Sequence, residues 1–269
     1  MKFIEPSVTI VKGIPPLQKI ALIARVCTGT QYKAETTPED ALTFCKKLIG
    51  MGHTSPFEHA RVIEPYSTLT LTHHFKDGKP PYGVADRIAS IDGEHYALNV
   101  RDYLAQGGTL EEVAGFEEAN DYLTVCFKID IGIARELIRH RSMSFMERST
   151  RWCSWSKTNG GIEFITPECC KEDGAFDWLC SDFFKLAENR YFFAINHGVP
   201  REMARSILPL ATATKLYVTG THEHWARLLN LRLGKRAHPA MRRVMKMLCE
   251  LPDFPNEIRG NLTAEELNA

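Results

Sequence analysis

The chain is poor in the features that most often decide a function at sight. No run of about 18 apolar residues occurs, so no segment is read as a membrane-spanning helix. The opening MKFIEPSVTIVKGIPP has no apolar stretch long enough for a secretion signal. Neither GxGxxG nor GxxxxGK[ST] is present, which removes the dinucleotide fingerprint and the P-loop. Net charge is absent too: 33 Lys and Arg balance 33 Asp and Glu. Without a basic field, neither nucleic acid nor a membrane surface is an expected partner, and any anion site must be local. The eight cysteines show no CxxC spacing, and the expectation is reduced thiols in a cytoplasmic protein.

What is present is a mixture of helical and strand patterns without internal repeats, low-complexity runs or an obvious linker. TTPEDALTFCKKLIGMG predicts a helix with Thr37 as N-cap, Pro38 at its first position, and Gly50 and Gly52 at its end. Tyr66–Thr72, DYLTVCFKI, GIEFITP and TKLYVTG read as strands. Asp92–Gln106, Asp177–Asn196, PREMARSIL, His222–Leu233 and His238–Leu251 read as helices. Ile131, Ala134, Leu137 and Ile138 form an apolar stripe that carries a helix into Arg139, and Ser142–Gly161 reads as a long ordered loop. Strands mixed irregularly with helices predict an α+β fold.

The densest chemistry is RHRSMSFMERSTRW, Arg139 to Trp152, where the sole acid is Glu147. Arginine is the side chain for bidentate phosphate and carboxylate recognition. On a continued helix Arg135 and Arg139 would share a face, while Arg141 would stand about 200° from Arg139 and serve another ligand or a neighbouring subunit. Ser149 and Thr150 add hydroxyl donors. A phosphate cage and an arginine network at a subunit interface are both compatible with this composition. Arg201, Arg205, Arg227 and Arg232, on apolar helices downstream, could form a second wall.

Other chemistries are weaker. THEHW and His73-His74 lack the spacing and the companion ligands of a metal site, so no metal is expected. Cys153 has no base that spacing can assign to it, and a packed thiol is the plainer reading. GMGHTSPFEH places His53, Thr54, Ser55, Glu58 and His59 around a Pro-Phe turn, a density that suits function as well as ordinary capping.

The spacing from Arg139, His140 and Arg141 to Ser149 resembles the signature of flavin-dependent thymidylate synthases. SFMERSTRW, Gly52–His59, GVPREMARSILP and LLNLRLGKRAH resemble further blocks of that family, in order along most of the chain. The resemblance implies a single domain over 1–269, with a mostly antiparallel central sheet, flanking helices and an insertion at about 66–120. It implies a homotetramer with active sites between subunits. It also implies methylation of dUMP at C5 to dTMP, with methylenetetrahydrofolate as one-carbon donor and FAD reduced by NADPH. Carried over by motif, Arg139, Ser149 and His53 would be catalytic. Glu136, Arg139, Glu147, Arg148, Ser149, Arg151, Arg205 and Arg232 would contact dUMP. Ser55, Arg139, His140, Arg141, Glu147, Thr221, Arg227 and His238 would hold FAD.

This chain departs from the pattern at named positions. Glu136 stands where the family commonly has Gln, Met146 where it has Asn, and Thr221 and Glu223 where it often has Asn and Arg. These departures keep two other readings open: a related enzyme that methylates or hydroxymethylates UMP, and a nucleotide-binding relative without catalysis.

Overall fold

The computed structural model describes residues 1–31, 37–65, 89–90, 95–119, 122–153, 155, 160–170 and 181–259. The expected strand at Tyr66–Thr72, His73-His74 and most of the expected insertion lie outside the described residues.

The chain opens with β1 (Lys2–Ile4), β2 (Ser7–Val11) and α1 (Pro16–Ala24), three elements that the sequence patterns did not reveal. α2 (Pro38–Gly50) starts as its sequence dictates, with Thr37 Oγ1 accepting from Asp40 N at 3.2 Å. It ends where Gly52 turns left-handed at φ +72° and His53 N donates to Leu48 O. A 3-10 turn (Ser55–His59) leads to β3 (Arg61–Pro65), β4 (Ala89–Ser90), β5 (His95–Asn99), α3 (Val100–Ala105) and α4 (Leu110–Val113). The helix expected over Asp92–Gln106 is therefore a strand and then a helix. Five residues of β5 pair with β3, and the Asn99 side chain caps α3 by accepting from Asp102 N. Tyr96, Ala97 and Leu98 are helix-tolerant, but pairing and burial on both sides decide for strand.

The second half holds β6 (Tyr122–Asp130), α5 (Ile131–Leu137), β7 (Ser144–Glu147), β8 (Glu163–Ile165), α6 (Asp182–Asn196) and α7 (Arg201–Ala204). Then come β9 (Ala213–Thr221), α8 (His222–Arg232), α9 (Pro239–Cys249) and α10 (Asn256–Arg259). Three expectations need correction. α5 stops at Leu137, so Arg139, His140 and Arg141 lie in turns and the helical angle between the two arginines does not apply. The expected loop Ser142–Gly161 contains β7, whose four residues pair with β9. PREMARSIL divides into α7 and a 3-10 turn at Arg205–Ile207.

The architecture is α+β, as the patterns predict. A four-stranded antiparallel sheet runs in the order β2-β6-β9-β7, beside a three-stranded sheet β3-β5-β4 and a parallel pair β1-β8. β6 and β9 are in register over nine residues, from Tyr122 opposite Thr221 to Asp130 opposite Ala213. Alternate residues Val125, Phe127 and Ile129 pack with Ile133 and Leu137 of α5, Trp225 and Leu229 of α8, and Met241 and Met245 of α9. Each fully buried side chain of this size contributes about 2 kcal/mol. A second core joins α1 and α2 to the smaller sheet through Leu17, Ile20, Leu48, Phe57, Leu98 and Val113. Cys27, Cys45, Cys126, Cys153, Cys169 and Cys249 are free thiols, as expected, and Cys170 departs from that expectation by being disulfide-bonded.

Candidate active site

Glu147 closes β7 opposite Leu216 of β9. Burial pushes its carboxyl above the usual range, against the pull of Arg135. The ladder runs one residue further, with Arg148 N donating to Lys215 O at 2.8 Å. The Arg148 guanidinium lies over the Trp155 ring, 5.3 Å from its centroid, and its buried Nε makes no hydrogen bond among the described residues.

The chain then folds onto the turn at residues 25–29. Ser149 N donates to Cys27 O at 3.2 Å, and Cys153 N donates to Ser149 O at 3.0 Å. Gly29 is left-handed at φ +68°, and a Cβ there would stand 3.3 Å from Cys153 Sγ. Only glycine suits both the backbone and that approach. Ser149 Oγ accepts from Arg151 N at 3.2 Å and retains its proton for donation. Cys153 is buried with its thiol on Cys27 O, a packed side chain. Arg205 donates to Thr150 Oγ1 at 3.0 Å and Arg201 donates to Trp152 O at 3.1 Å, so the α7 region docks on the loop. The supporting turn at Cys27–Gly29 was missed by sequence reasoning, although Gly29 was a legible signal for it.

A second cluster joins two distant motifs. Arg232, at the end of α8, donates through Nε to His140 Nε2 at 2.8 Å. Its Nη atoms reach Glu136 Oε2 at 3.0 Å and Glu136 O at 2.9 Å. Arginine is only a donor, so His140 Nε2 is the acceptor, and the neutral ring carries its proton on Nδ1. Burial and the Arg232 charge both lower the His140 pKa. Arg139 and Arg141 are exposed and make no hydrogen bond or ion pair among the described residues. Arg151 is likewise exposed.

The remaining candidates are dispersed. His53 and Ser55 are exposed between α2 and β3. Thr221 caps α8 by accepting from His224 N at 3.3 Å, and Glu223 pairs with Arg227 one turn apart on the exposed face. His238 caps α9 through Nδ1, accepting from Ala240 N at 3.2 Å. It shares with Glu136 the lining of a cavity of about 600 Å³ that also exposes Asp130 and Glu168. Structure therefore unites Glu136, His140 and Arg232 in one cluster, and Arg148, Ser149 and Arg205 in or against one loop. It does not bring Arg227 to either.

Residues 116–253, just over half of the chain, match the family described as thymidylate synthase complementing protein. The chain is 33% identical over 171 residues to the flavin-dependent thymidylate synthase of Pyrococcus furiosus, across 62% of this chain and 65% of that protein. It is 30% identical over 142 residues to the enzyme of the same description from Pyrococcus abyssi, across 51% of this chain and 58% of that one. The match thus spans less than two thirds of each relative. A crystal structure described as a UMP/dUMP methylase PolB from Streptomyces cacaoi bound with 5-Br dUMP aligns with a TM-score of 0.47 at 17% identity, over 97% of this chain and 96% of that one. The chain belongs to the thymidylate synthase complementing protein family, and both Pyrococcus proteins named above are described as flavin-dependent thymidylate synthases.

Proposed function

We propose that this chain is a flavin-dependent thymidylate synthase that methylates dUMP at C5, with methylenetetrahydrofolate as one-carbon donor, FAD as cofactor and NADPH as reductant. The observation that carries the reading is the Glu136–Arg232–His140 cluster. Two motifs 96 residues apart in sequence meet there through three arginine hydrogen bonds, beside Arg139 and Arg141, which are exposed and unpaired among the described residues.

The donor set fits an anionic cofactor and an anionic substrate. Among the described residues, the guanidinium groups of Arg139 and Arg141 have no protein partner and the buried Arg148 Nε has no acceptor. FAD, once reduced, supplies the hydride that the one-carbon group needs. Ser55, Arg139, His140, Arg141, Glu147, Thr221, Arg227 and His238 are the side chains assigned to hold it; of these Arg227 has the weakest support, being paired with Glu223 at the surface. His140 contributes its Nδ1–H, left free by the bond to Arg232. Arg148, Arg151, Arg205 and Arg232 are assigned to the dUMP phosphate and base, with Ser149 and Glu147 orienting the nucleotide. Glu136 offers a carboxylate acceptor that suits the uracil N3–H. Arg139 would stabilise negative charge that develops on the uracil ring, and His53 would stand at the folate or flavin edge.

The chain is proposed as one domain with an insertion at about 66–120, acting as a homotetramer. Phe183, Leu186 and Phe193 share one face of α6 and are more than half exposed, as are Met203 and Leu210 beside Arg205. A second subunit covering that face would shield the loop at Ser149 from water. A cytoplasmic location accords with this chemistry, and no helix among the described residues is long and apolar enough to cross a membrane.

The reading is tested by reconstituting the protein with FAD, desalting it and recording the visible spectrum with and without dUMP. A retained flavin band that shifts on adding dUMP is expected. A protein that keeps no flavin in either condition overturns the proposal. The product mass obtained from dUMP and from UMP then separates thymidylate synthesis from UMP modification.

A further inference from the structure

Between the two cores lies a polar side chain that the reading above leaves unused. His59 ends the Ser55–His59 turn and is wholly buried. Its Nδ1 stands 2.7 Å from Thr219 Oγ1, which stands 2.8 Å from Thr124 Oγ1. The three groups come from the turn, β9 and β6, and Thr124 and Thr219 are direct register partners. Thr219 is also the register partner of Ser144, the first residue of β7. Burial, reinforced by the charge of Lys19 and opposed by the Phe145 backbone of β7, takes the ring down to about 3. Nε2 is buried without a hydrogen-bond partner among the described residues, so the neutral ring reaches the sheet through Nδ1 alone and adds no charge to the core.

The turn on which His59 sits is otherwise committed elsewhere. Pro56 and Phe57 are buried, Phe57 within the second core, and Glu58 pairs with Arg101 of α3. Ala60 O accepts from Val100 N. Among the described residues, the polar contact from this turn to the central sheet runs through the His59 ring. The turn carries Ser55 at its start, with His53 just before it, while β7 ends in Glu147 and delivers Arg148 and Ser149. Two segments that rest on different cores thus meet at one imidazole.

We propose that His59 is a positioning residue: by bridging to Thr219 it fixes the His53–Ser55 segment against β7, so that two ligand-facing segments keep one spacing. This rests on the assignment of those segments to flavin and nucleotide. A ligand gripped by both segments is sensitive to a displacement of an ångström at either.

The test compares His59→Phe, which fills the space without hydrogen bonding, with His59→Asn, whose amide can occupy the Nδ1 position. Thr219→Val removes the partner instead. Flavin and dUMP dissociation constants are measured well below each melting temperature, so only folded protein is read, together with hydrogen exchange at residues 55–59 and 144–147. We expect His59→Phe and Thr219→Val to weaken flavin or dUMP binding about tenfold and to speed exchange in both segments. His59→Asn should restore binding to within about threefold of the wild type. Wild-type affinities in folded His59→Phe or Thr219→Val, with lowered melting temperature alone, would overturn positioning and leave His59 a core residue. If His59→Phe does not fold, Thr219→Val and His59→Asn decide the question. Wild-type protein that binds neither ligand would sink the proposed function. Exchange would then decide whether His59 couples the two segments, and unchanged exchange in Thr219→Val would refute it.

Discussion

Arg232 and Arg139 were expected around the same nucleotide, yet the fold treats them differently. Arg232 is mostly buried, at 21% side-chain exposure, and all three of its nitrogens donate to Glu136 or His140. Arg139 lies in the turn after α5, exposed and without a partner among the described residues. One guanidinium is oriented by its own chain, and the other stands open to a ligand or another subunit. A preset arginine supports the fold as well as a ligand, whereas a waiting one acts on the ligand alone. Stability and activity should therefore separate between the two.

The largest separation is expected at the waiting side. Arg139→Ala should lower kcat/KM at least about a hundredfold, because it removes charge stabilisation without another group to supply it. Its melting temperature should stay within about 2 °C of the wild type, since no hydrogen bond or ion pair among the described residues is lost. A large fall in melting temperature would break the contrast. Arg232→Ala should weaken dUMP binding tenfold or more in calorimetry and also cost about 1–2 kcal/mol in urea unfolding, since Glu136 and His140 lose their shared donor. Unchanged affinity would remove Arg232 from the nucleotide site.

The His59 ring sharpens the contrast through pH. Its folded value of about 3 lies below the ordinary 6.5, so its stability contribution is complete above pH 6.5. It is lost as pH falls toward 3, because the unfolded ring takes up a proton that the folded ring refuses. The slope should approach about 1.4 kcal/mol per pH unit within that window, and His59→Asn should flatten it in acid titrations of urea stability. The smallest effect belongs to Glu223→Gln. That residue pairs with Arg227 at the surface with both side chains more than 60% exposed, so the change should be within about 0.5 kcal/mol. A flavin affinity that rises sharply in Glu223→Gln would return this face of α8 to the cofactor site.

Much of the fold was legible where one pattern dominated. Tyr122–Asp130 alternates over nine residues, and Thr37 with Pro38 declares the start of α2. Short elements were not: Ser144–Glu147 is four residues long, and His95–Asn99 is a strand through its pairing with β3, a partner no local pattern contains. The site divides in the same way. Arg139 to Ser149 announces itself as a run of cations and hydroxyls. The grip of Arg232 on Glu136 spans 96 residues, and His59 reaches Thr219 across 160, distances at which a single sequence carries no pairing signal. His238 and Thr221 read as site residues, and the structure adds that their side chains cap α9 and α8, a local role the sequence reading did not assign.

β7 occupies the end of the sheet order β2-β6-β9-β7 and is held by β9 alone among the described strands. An edge strand of four residues has fewer bonds to break than the nine-residue pair at the sheet centre, so it detaches at lower free energy. Warming should therefore release Glu147, Arg148 and Ser149 while β6 and β9 still hold the core. The protein would go silent before it melts, and its working temperature would be set by its margin and not by its middle.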